Sequence, residues 1–275
     1  MKLQNVTVGA DCEVFLQDKA SQKIVSAEGI IRGTKDVPFV FDETNKYFCT
    51  SLDNILAEFC IPPAKTAEEF YAHLKKSIGY VNNTIPKELC VAITPAALVD
   101  DIWLMTPNAQ RFGCEPDFNA YTGFVNQRPF GVNPNLRSAG GHLHIGYDNP
   151  TPFNINDYMG DVERCTIIKT LDLFIGIPSI IMEPENMRKQ LYGKAGAFRP
   201  KEYGVEYRTV SNFYLDSDNL ISWAYNAVQN AVDFINNGHT IPEGTSWYIN
   251  DAINNNDREA AANVINEYNL QLVAA

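Results

Sequence analysis

Alternating polar and apolar residues at the start of the chain predict a strand over Val6–Leu16. Asp11 and Glu13 share one face of this strand, and the residue between them is apolar. Two neighbouring carboxylates repel each other unless they are solvated or share a cation. This segment alone therefore leaves two interpretations open, a solvated edge strand and a cation site.

A second apolar strand, over residues 54–63, also carries a single acid. Glu58 lies on the face opposite to Phe59 and Ile61, and an acid among buried-type residues is costly without a partner. We expect Pro62 and Pro63 to end this strand, because proline cannot donate to a sheet ladder.

A third strand holds two of the four histidines, His142 and His144, between Gly140 and Gly146. Residues two apart on a strand point to the same face, roughly 6.6 Å apart. Both imidazoles should therefore face the same side of a sheet. Paired core histidines are the alternative to a functional role.

Downstream of the histidines, Glu206 and Arg208 share a face of a predicted strand over residues 203–209. A basic loop precedes it, and Gly193 and Gly196 there could let backbone N–H groups approach phosphate oxygens. Four side chains of this region are candidate phosphate cations: Arg188, Lys194, Arg199 and Lys201. The GxxxxGK[ST] spacing of a P-loop is absent.

Helical periodicity predicts four helices, over residues 66–81, 157–176, 218–237 and 258–270. Thr66 and Glu69 form a capping box at the start of the first. Between the second and third strands, the polar loop over residues 113–121 could bring Glu115, Asp117 and Asn119 to the rim of a site. An ordinary Asp/Asn turn is the alternative for the last two.

Composition narrows the class of protein. The 275 residues are 45% hydrophobic with a formal net charge of −11, which indicates a packed fold and argues against nucleic-acid and acidic-membrane partners. No signal-peptide pattern is present, and the apolar run Leu173–Met182 is interrupted by Gly176 and Pro178 and is too short to span a bilayer. The six cysteines form no CxxC pair, and without a signal peptide we expect reduced thiols and a cytoplasmic location. Because the sequence shows no repeats and no low-complexity linker, we expect a single domain over residues 1–275.

The polar residues on the predicted strands suggest a chemistry when taken together. A cluster of acids with one or two histidines is stable only around hard cations such as Mg²⁺, which retain water ligands for substrate phosphates. Arg208 and the basic loop would then face those phosphates, which indicates nucleotide-dependent phosphoryl transfer. The HExxH pattern of zinc hydrolases is absent, and the spacing after His144 fits a cupin metal site poorly.

The order of these motifs resembles the glutamine synthetase and glutamate–cysteine ligase superfamily. It is most similar to the phage-type amidoligases called COOH–NH2 ligase type 2. The resemblance runs over about residues 6–215 and rests on four segments: Gly9–Glu13, Ala57–Ala64, Ser138–Gly146 and Tyr192–Arg208.

This resemblance implies an α+β fold with a curved, mainly antiparallel sheet and helices packed on its convex face. It implies a ligase that uses ATP and two or three Mg²⁺ ions (Mn²⁺ is possible) to join a carboxylate to an amine through an acyl phosphate. One metal would be bound by Glu13, Glu58 and Glu115, and the other by Asp11, His142 and Glu206. His144 would lie toward the nucleotide, and Arg199 and Arg208 would neutralise the transferred phosphoryl group. The superfamily often has Glu where this chain has Asp11.

Other interpretations and partners remain open at this stage. The same acid/His cluster could serve a metal-dependent hydrolase or phosphotransferase, or the chain could be a non-catalytic phage protein on a ligase fold. The carboxylate could belong to a small molecule or a peptide, and a glutamine amidotransferase could supply ammonia. A phage-encoded protein would act in the host cell cytoplasm; the oligomeric state is left open.

Overall fold

The computed structural model describes residues 1–110, 117–127, 130–154, 161–183 and 187–273. Twelve strands occur in these ranges: β1 Thr7–Asp18, β2 Ile24–Val25, β3 Phe39–Val40, β4 Cys49–Asp53, β5 Leu56–Ala64, β6 Leu89–Ala92, β7 Ala96–Leu98, β8 Phe118–Asn119, β9 Leu136–Ser138, β10 Gly141–Gly146, β11 Ala197–Lys201 and β12 Gly204–Tyr207. The six α-helices there are α1 Ala67–Thr84, α2 Val162–Leu171, α3 Ile177–Met182, α4 Asp218–Asn236, α5 Glu243–Asn255 and α6 Arg258–Tyr268.

Ten of the strands form one sheet, in which β1 is the central strand. Eight of them follow the order β3-β4-β5-β1-β10-β12-β11-β8, and β2 and β6 pair with the second half of β1. The paired strands run antiparallel throughout. A mixed fold with a large antiparallel sheet was predicted, and at this level the prediction is confirmed.

The helices cover one face of the sheet and bury its apolar side chains. From β1, Val8, Val14 and the residues that alternate with Asp11 and Glu13 are fully or nearly fully buried. They belong to the same core as Phe70 of α1 and Val228 of α4. The opposite face of the sheet is left for polar side chains.

The start of α1 follows the predicted capping box. Thr66 Oγ1 accepts a hydrogen bond from Glu69 N at 3.2 Å, and Glu69 Oε2 accepts one from Lys65 N at 2.8 Å. The first bond satisfies an N–H group that the first turn of a helix leaves without an intrahelical partner, and the second satisfies the N–H of Lys65 just before the cap.

The second predicted helix is longer than expected, because α2 continues through a π-turn at Asp172–Gly176 into α3. Gly176 and Pro178 therefore do not interrupt it, contrary to the prediction. The N–H of Ile177 bonds to the carbonyl of Asp172, five residues earlier, which is the hydrogen bond of a π-turn. This wider turn comes directly before Pro178, which has no N–H to donate to a helical hydrogen bond.

The combined helix Val162–Met182 is long and apolar enough to cross a membrane by length and composition alone. Its most apolar window is 67% buried inside the protein. Leu173 and Ile177 pack there against Ile253 of α5 and Val264 of α6, in a second core cluster. This burial is typical of a core helix.

Candidate active site

The strand register brings the predicted polar residues together on the face of the sheet that the helices leave open. Asp11 lies directly opposite His142 on β10, and Glu13 lies opposite Glu58 on β5. His144 in turn lies opposite Glu206 on β12, which is next to Arg199 on β11. Residues that are distant in sequence thus become neighbours through four antiparallel pairings.

Three carboxylates, which we call the acid trio, form the first candidate metal site: Glu13, Asp53 and Glu58. Each offers an oxygen, and these oxygens lie within 4.8 Å of one another. Gly140 N donates to Glu13 Oε2 at 2.6 Å, and Ser51 Oγ donates to Glu58 Oε2 at 2.7 Å. Hard divalent cations favour such an all-oxygen set.

The acid trio is electrostatically strained without a cation. Burial, together with Asp53 and Glu58, raises the pKa of Glu13 to about 8. Burial, together with Asp11 and Asp53, raises the pKa of Glu58 to about 7. The Lys35 ammonium lies 2.6 Å from an oxygen of Asp53 and partly offsets this repulsion.

A second group of possible metal ligands lies beside the acid trio and consists of Asp11, His144 and Glu206, again within 4.8 Å. His144 Nε2 is 3.3 Å from Asp11 Oδ2. His142 also reaches both acids, because its Nδ1 is 2.8 Å from Asp11 Oδ1 and 3.8 Å from Glu206 Oε1. Either histidine could therefore complete this site.

Cations surround Glu206. Lys201 Nζ lies 2.7 Å from its Oε2, Arg199 Nη1 lies 3.5 Å from its Oε1, and Arg208 also pairs with it. Burial and Asp11 would raise the pKa of Glu206, but Arg208 and the two histidines lower it to about 2. Glu206 is thus an ionised carboxylate although it is fully buried.

The pKa values of Asp11 and the histidines follow the same logic. Burial opposes ionisation of Asp11, yet His142 and His144 hold its pKa well below the usual range. Burial and Arg208 lower the pKa of His142. Burial also disfavours the charged form of His144, but Asp11 outweighs this effect and raises its pKa.

Asp117 belongs to the site, which agrees with the interpretation that its loop lies at the rim of a site. Its Oδ1 lies 2.7 Å from Arg208 Nε and 3.6 Å from Arg199 Nε. Asn119 instead follows the turn interpretation, since its Oδ1 accepts from the backbone N–H groups of Tyr121 and Thr122. Glu115 lies outside the described residues.

The basic segment divides into two parts. Arg199 and Lys201 lie on β11, where the sequence predicted a loop, and both reach Glu206. Arg188 is buried below the site and donates to the carbonyls of Thr209 at 2.8 Å and Arg208 at 3.1 Å. Lys194 is exposed.

The glycines of this segment make room for side chains within the protein. A Cβ on Gly193 would lie 2.0 Å from Arg188 Nη1, and one on Gly196 would lie 2.6 Å from Tyr121 Cδ2. Gly196 N donates to Asp172 Oδ2. The structure therefore shows the backbone of these glycines engaged in internal packing, and the expected approach to phosphate lacks support there.

A cavity of about 290 Å³ adjoins the second ligand group. Gly9, Asp11 and His144 line it on the sheet, and Tyr47 and Tyr203 line it from loops. Tyr203 OH and His144 Nδ1 hydrogen-bond each other. The cavity is mostly apolar but ends at the charged cluster.

Sequence reasoning did not identify Asp53, Lys35 or Tyr203. Asp53 ends β4, a strand inside a stretch predicted only as rich in hairpins. The period-two spacing of Ser51 and Asp53 was the available signal. The other two come from irregular segments, whose positions depend on the tertiary fold.

Comparison with known proteins supports the family resemblance. Residues 135–248 match the family model of the "Phage phiEco32-like COOH.NH2 ligase-type 2". This match confirms the resemblance over a segment that includes both histidines, Glu206 and Arg208. Asp11, Glu13 and Glu58 lie outside it. No curated protein matches the sequence.

Among solved structures, the chain is similar to a bifunctional glutathione synthetase from Pasteurella multocida. The two are 12% identical, with a TM-score of 0.41. The match covers 96% of this chain and 49% of that one, so this protein spans about half the length of that synthetase.

Proposed function

We propose that this protein is an ATP- and Mg²⁺-dependent carboxylate–amine ligase that joins a small-molecule or peptide carboxylate to an amine through an acyl phosphate. One observation carries the proposal: two groups of metal-type ligands and three cationic side chains meet on the face of the sheet opposite the helices. Acids suit Mg²⁺, and guanidinium and ammonium groups suit phosphate oxygens. The family match over residues 135–248 supports the same class of reaction.

Two metal sites fit the residues present. The acid trio would hold one ion, and Glu115 stays a further predicted ligand. Asp11, Glu206 and His142 would hold the other, with His144 toward the nucleotide. Bound Mg²⁺ or Mn²⁺ would neutralise phosphate charge and polarise the phosphoryl oxygens.

The chain's own cations would serve the transferred phosphoryl group. Arg208 is held from two sides by Asp117 and Glu206, so its guanidinium is oriented before substrate arrives. Preorganised donors of this kind typically contribute several kcal/mol to transition-state stabilisation, about 2.7–4 kcal/mol for one donor. Arg188 would act indirectly, because it supports the backbone of Arg208 from below.

The proposed reaction has two steps. An oxygen of the substrate carboxylate attacks the γ-phosphorus of ATP, the bond to ADP breaks, and an acyl phosphate forms. The amine nitrogen then attacks the acyl carbon, the bond to phosphate breaks, and the nitrogen loses a proton. Arg199, Lys201 and Arg208 would stabilise the charge that develops on the phosphoryl oxygens in both steps.

The apolar cavity beside His144 would take the nucleotide base, between the rings of Tyr47 and Tyr203. We further propose that residues 1–275 form one catalytic domain with a glutamine synthetase-like sheet. A partner amidotransferase would supply ammonia if ammonia is the amine.

The experiment is an ADP-release screen of carboxylate and amine pairs in Mg²⁺ and ATP, with product masses measured. A ligase sustains ADP release only when both substrates are present, because without an amine the reaction stops at the acyl phosphate after one ADP per site, and the amide product has lost one water. Sustained ADP or phosphate release that does not require an amine would instead indicate a hydrolase or phosphotransferase.

Glu206→Gln should reduce ADP release to background, since it removes a charge shared by the ligand group and the cations. Glu202→Gln is the matched control, because Glu202 is exposed on the turn before β12. Equal turnover in the Glu206 variant and the wild type, with both folded by circular dichroism, would reject the assignment.

A further inference from the structure

Two cysteines lie opposite each other on neighbouring strands at the edge of the candidate active site. Cys49 on β4 and Cys60 on β5 are register partners in an antiparallel pair. Both are free thiols, and as register partners they project from the same face of the sheet.

This placement meets the geometric requirement of a disulfide. Residues directly opposite in an antiparallel pair have Cα atoms about 4.5–5.5 Å apart, inside the range of about 4.4–6.8 Å found for disulfides. The bond could therefore form with no change of strand register.

The pair also adjoins the groups assigned to catalysis. Cys60 lies opposite Asp11 on β1 and lines the cavity that Asp11, His144 and Tyr203 share. Cys49 is buried behind it, at 8% exposure. The cavity gives a small oxidant a path to Cys60, whereas a bulky reagent would be excluded from Cys49.

We propose that Cys49 and Cys60 are a reversible modification site, a dithiol that closes to a disulfide in the wall of the active-site cavity. With hydrogen peroxide, the sulfur of one cysteine attacks a peroxide oxygen, which gives a sulfenic acid and one water. The second sulfur attacks the sulfenic sulfur, the S–S bond forms, and the S–O bond breaks. Two thiols and one peroxide thus give one disulfide and two waters, and two molecules of an external thiol restore the dithiol as they form their own disulfide.

The sequence allows a direct measurement on the full-length protein. Trypsin releases residues 47–65 as one peptide that contains both cysteines and no others, because Lys46 and Lys65 flank it. After hydrogen peroxide and alkylation, this peptide should lack two hydrogens and both alkyl groups. Cleavage before Asp53 should then leave two fragments joined until they are reduced.

Cys90 is the internal control, since it is half-buried, free and alone in its tryptic peptide. The pair should close to a disulfide whereas Cys90 should stop at the sulfenic acid, because only the pair has a second thiol in place for the step that forms the S–S bond. Cys49→Ser and Cys60→Ser should each abolish the link, and Cys165→Ser should leave it unchanged. The proposal is overturned if residues 47–65 keep two alkylatable thiols while Cys90 oxidises, or if Cys60 links to another cysteine.

A second readout rests on the proposed function. Mg²⁺ and ATP should slow closure of the pair severalfold if the nucleotide fills the cavity that Cys60 lines. Disulfide formation with no such protection would count against the nucleotide assignment and leave the dithiol site intact, so the two failures are distinguishable.

Discussion

At the scale of single residues, the two histidines of β10 are not equivalent. His142 Nε2 faces Gly140, where an added Cβ would lie 2.3 Å away, so only Nδ1 points toward Asp11 and Glu206. His144 uses Nδ1 for Tyr203 and lies at the cavity. Distances to the acids allow either ring as a metal ligand, and the family resemblance favours His142.

Alanine substitutions should separate the two roles. We expect His142→Ala to raise the Mg²⁺ concentration for half-maximal ADP release about tenfold or more, because a ligand is lost. His144→Ala should instead raise the KM for ATP with a small change in the Mg²⁺ requirement. Titration of Mg²⁺ at saturating ATP, and of ATP at saturating Mg²⁺, measures both.

His73→Ala is the matched control, as His73 lies on α1 and its Nδ1 contacts the carbonyl of Pro62. The reverse pattern, with the Mg²⁺ requirement changed only by His144→Ala, would move the metal role to the other ring.

At the scale of elements, the π-turn between α2 and α3 ties the core helix to the strands of the site. Its first residue, Asp172, is fully buried and accepts from Tyr207 OH at 2.7 Å, Gly196 N at 2.7 Å and Thr209 Oγ1 at 3.0 Å. Tyr207 and Thr209 are the sequence neighbours of Arg208, and Gly196 precedes Arg199 by three residues. The helix therefore holds the backbone on which those cations stand.

Asp172 should make folding stability depend on pH. Burial raises its pKa from 3.8 to about 6 despite the hydrogen bonds it accepts. The folded state thus holds a proton that the unfolded state releases, so the contribution of Asp172 is full below about pH 4 and is lost as pH rises through about 6. Over that window the free energy of unfolding should fall by about 3 kcal/mol on account of this group.

Urea unfolding of Asp172→Asn between about pH 4 and 7 should show a decline about 3 kcal/mol smaller than that of the wild type, and the remaining decline comes from Glu13 and Glu58, whose pKa values are also raised. Asp218→Asn is the control with the opposite sign, since Tyr71 and Lys75 lower the pKa of exposed Asp218. An unchanged decline in the Asp172 variant would show that another group causes it.

The elements also show how far the sequence predicts the fold. The amphipathic pattern of α4 and the cap of α1 are local signals, and both elements follow the prediction closely. In contrast, β5 runs through Pro62 and Pro63. Val8 pairs with Ala64 and Ala10 pairs with Ile61, so two residues of β5 stand opposite one residue of β1. This bulge accommodates the two prolines, which cannot donate hydrogen bonds to the neighbouring strand.

Tertiary packing accounts for two further differences. No helix was predicted over α5, whose Gly, Ser, Thr and Asn residues are poor helix formers; Ile249 and Ile253 hold it against α3 and α6. β11 was predicted as a loop because its basic residues resemble a phosphate-binding segment. Its strand character comes from pairing with β12 and β8, which a local pattern does not encode.

At the scale of the whole molecule, the carboxylates that are proposed to bind metal lower the folding stability of the metal-free protein. The chain has a net charge of −11, and the acid trio concentrates three carboxylates in a half-buried site. This repulsion is a cost of the metal-free fold, and a divalent cation would relieve it. Glu13 and Glu58, whose ionised forms weaken the metal-free protein, are also the members of the acid trio that the family resemblance implies as metal ligands.

Glu13→Gln combined with Glu58→Gln should therefore stabilise the metal-free protein and abolish its response to Mg²⁺. In EDTA at about pH 8.5, where both groups would otherwise be largely ionised, we expect a Tm at least about 3 °C above the wild type. Added Mg²⁺ should raise the wild-type Tm by a few degrees through binding to the folded state, and leave the double variant unchanged.

Differential scanning calorimetry of both proteins measures the effect, with Glu202→Gln as the control for losing an exposed charge. A double variant that is less stable than the wild type in EDTA, or that retains the full Mg²⁺ shift, would show that the acid trio is not the cation site. The reason is that neutral amides do not repel one another or Asp53 as carboxylates do, and they bind Mg²⁺ weakly.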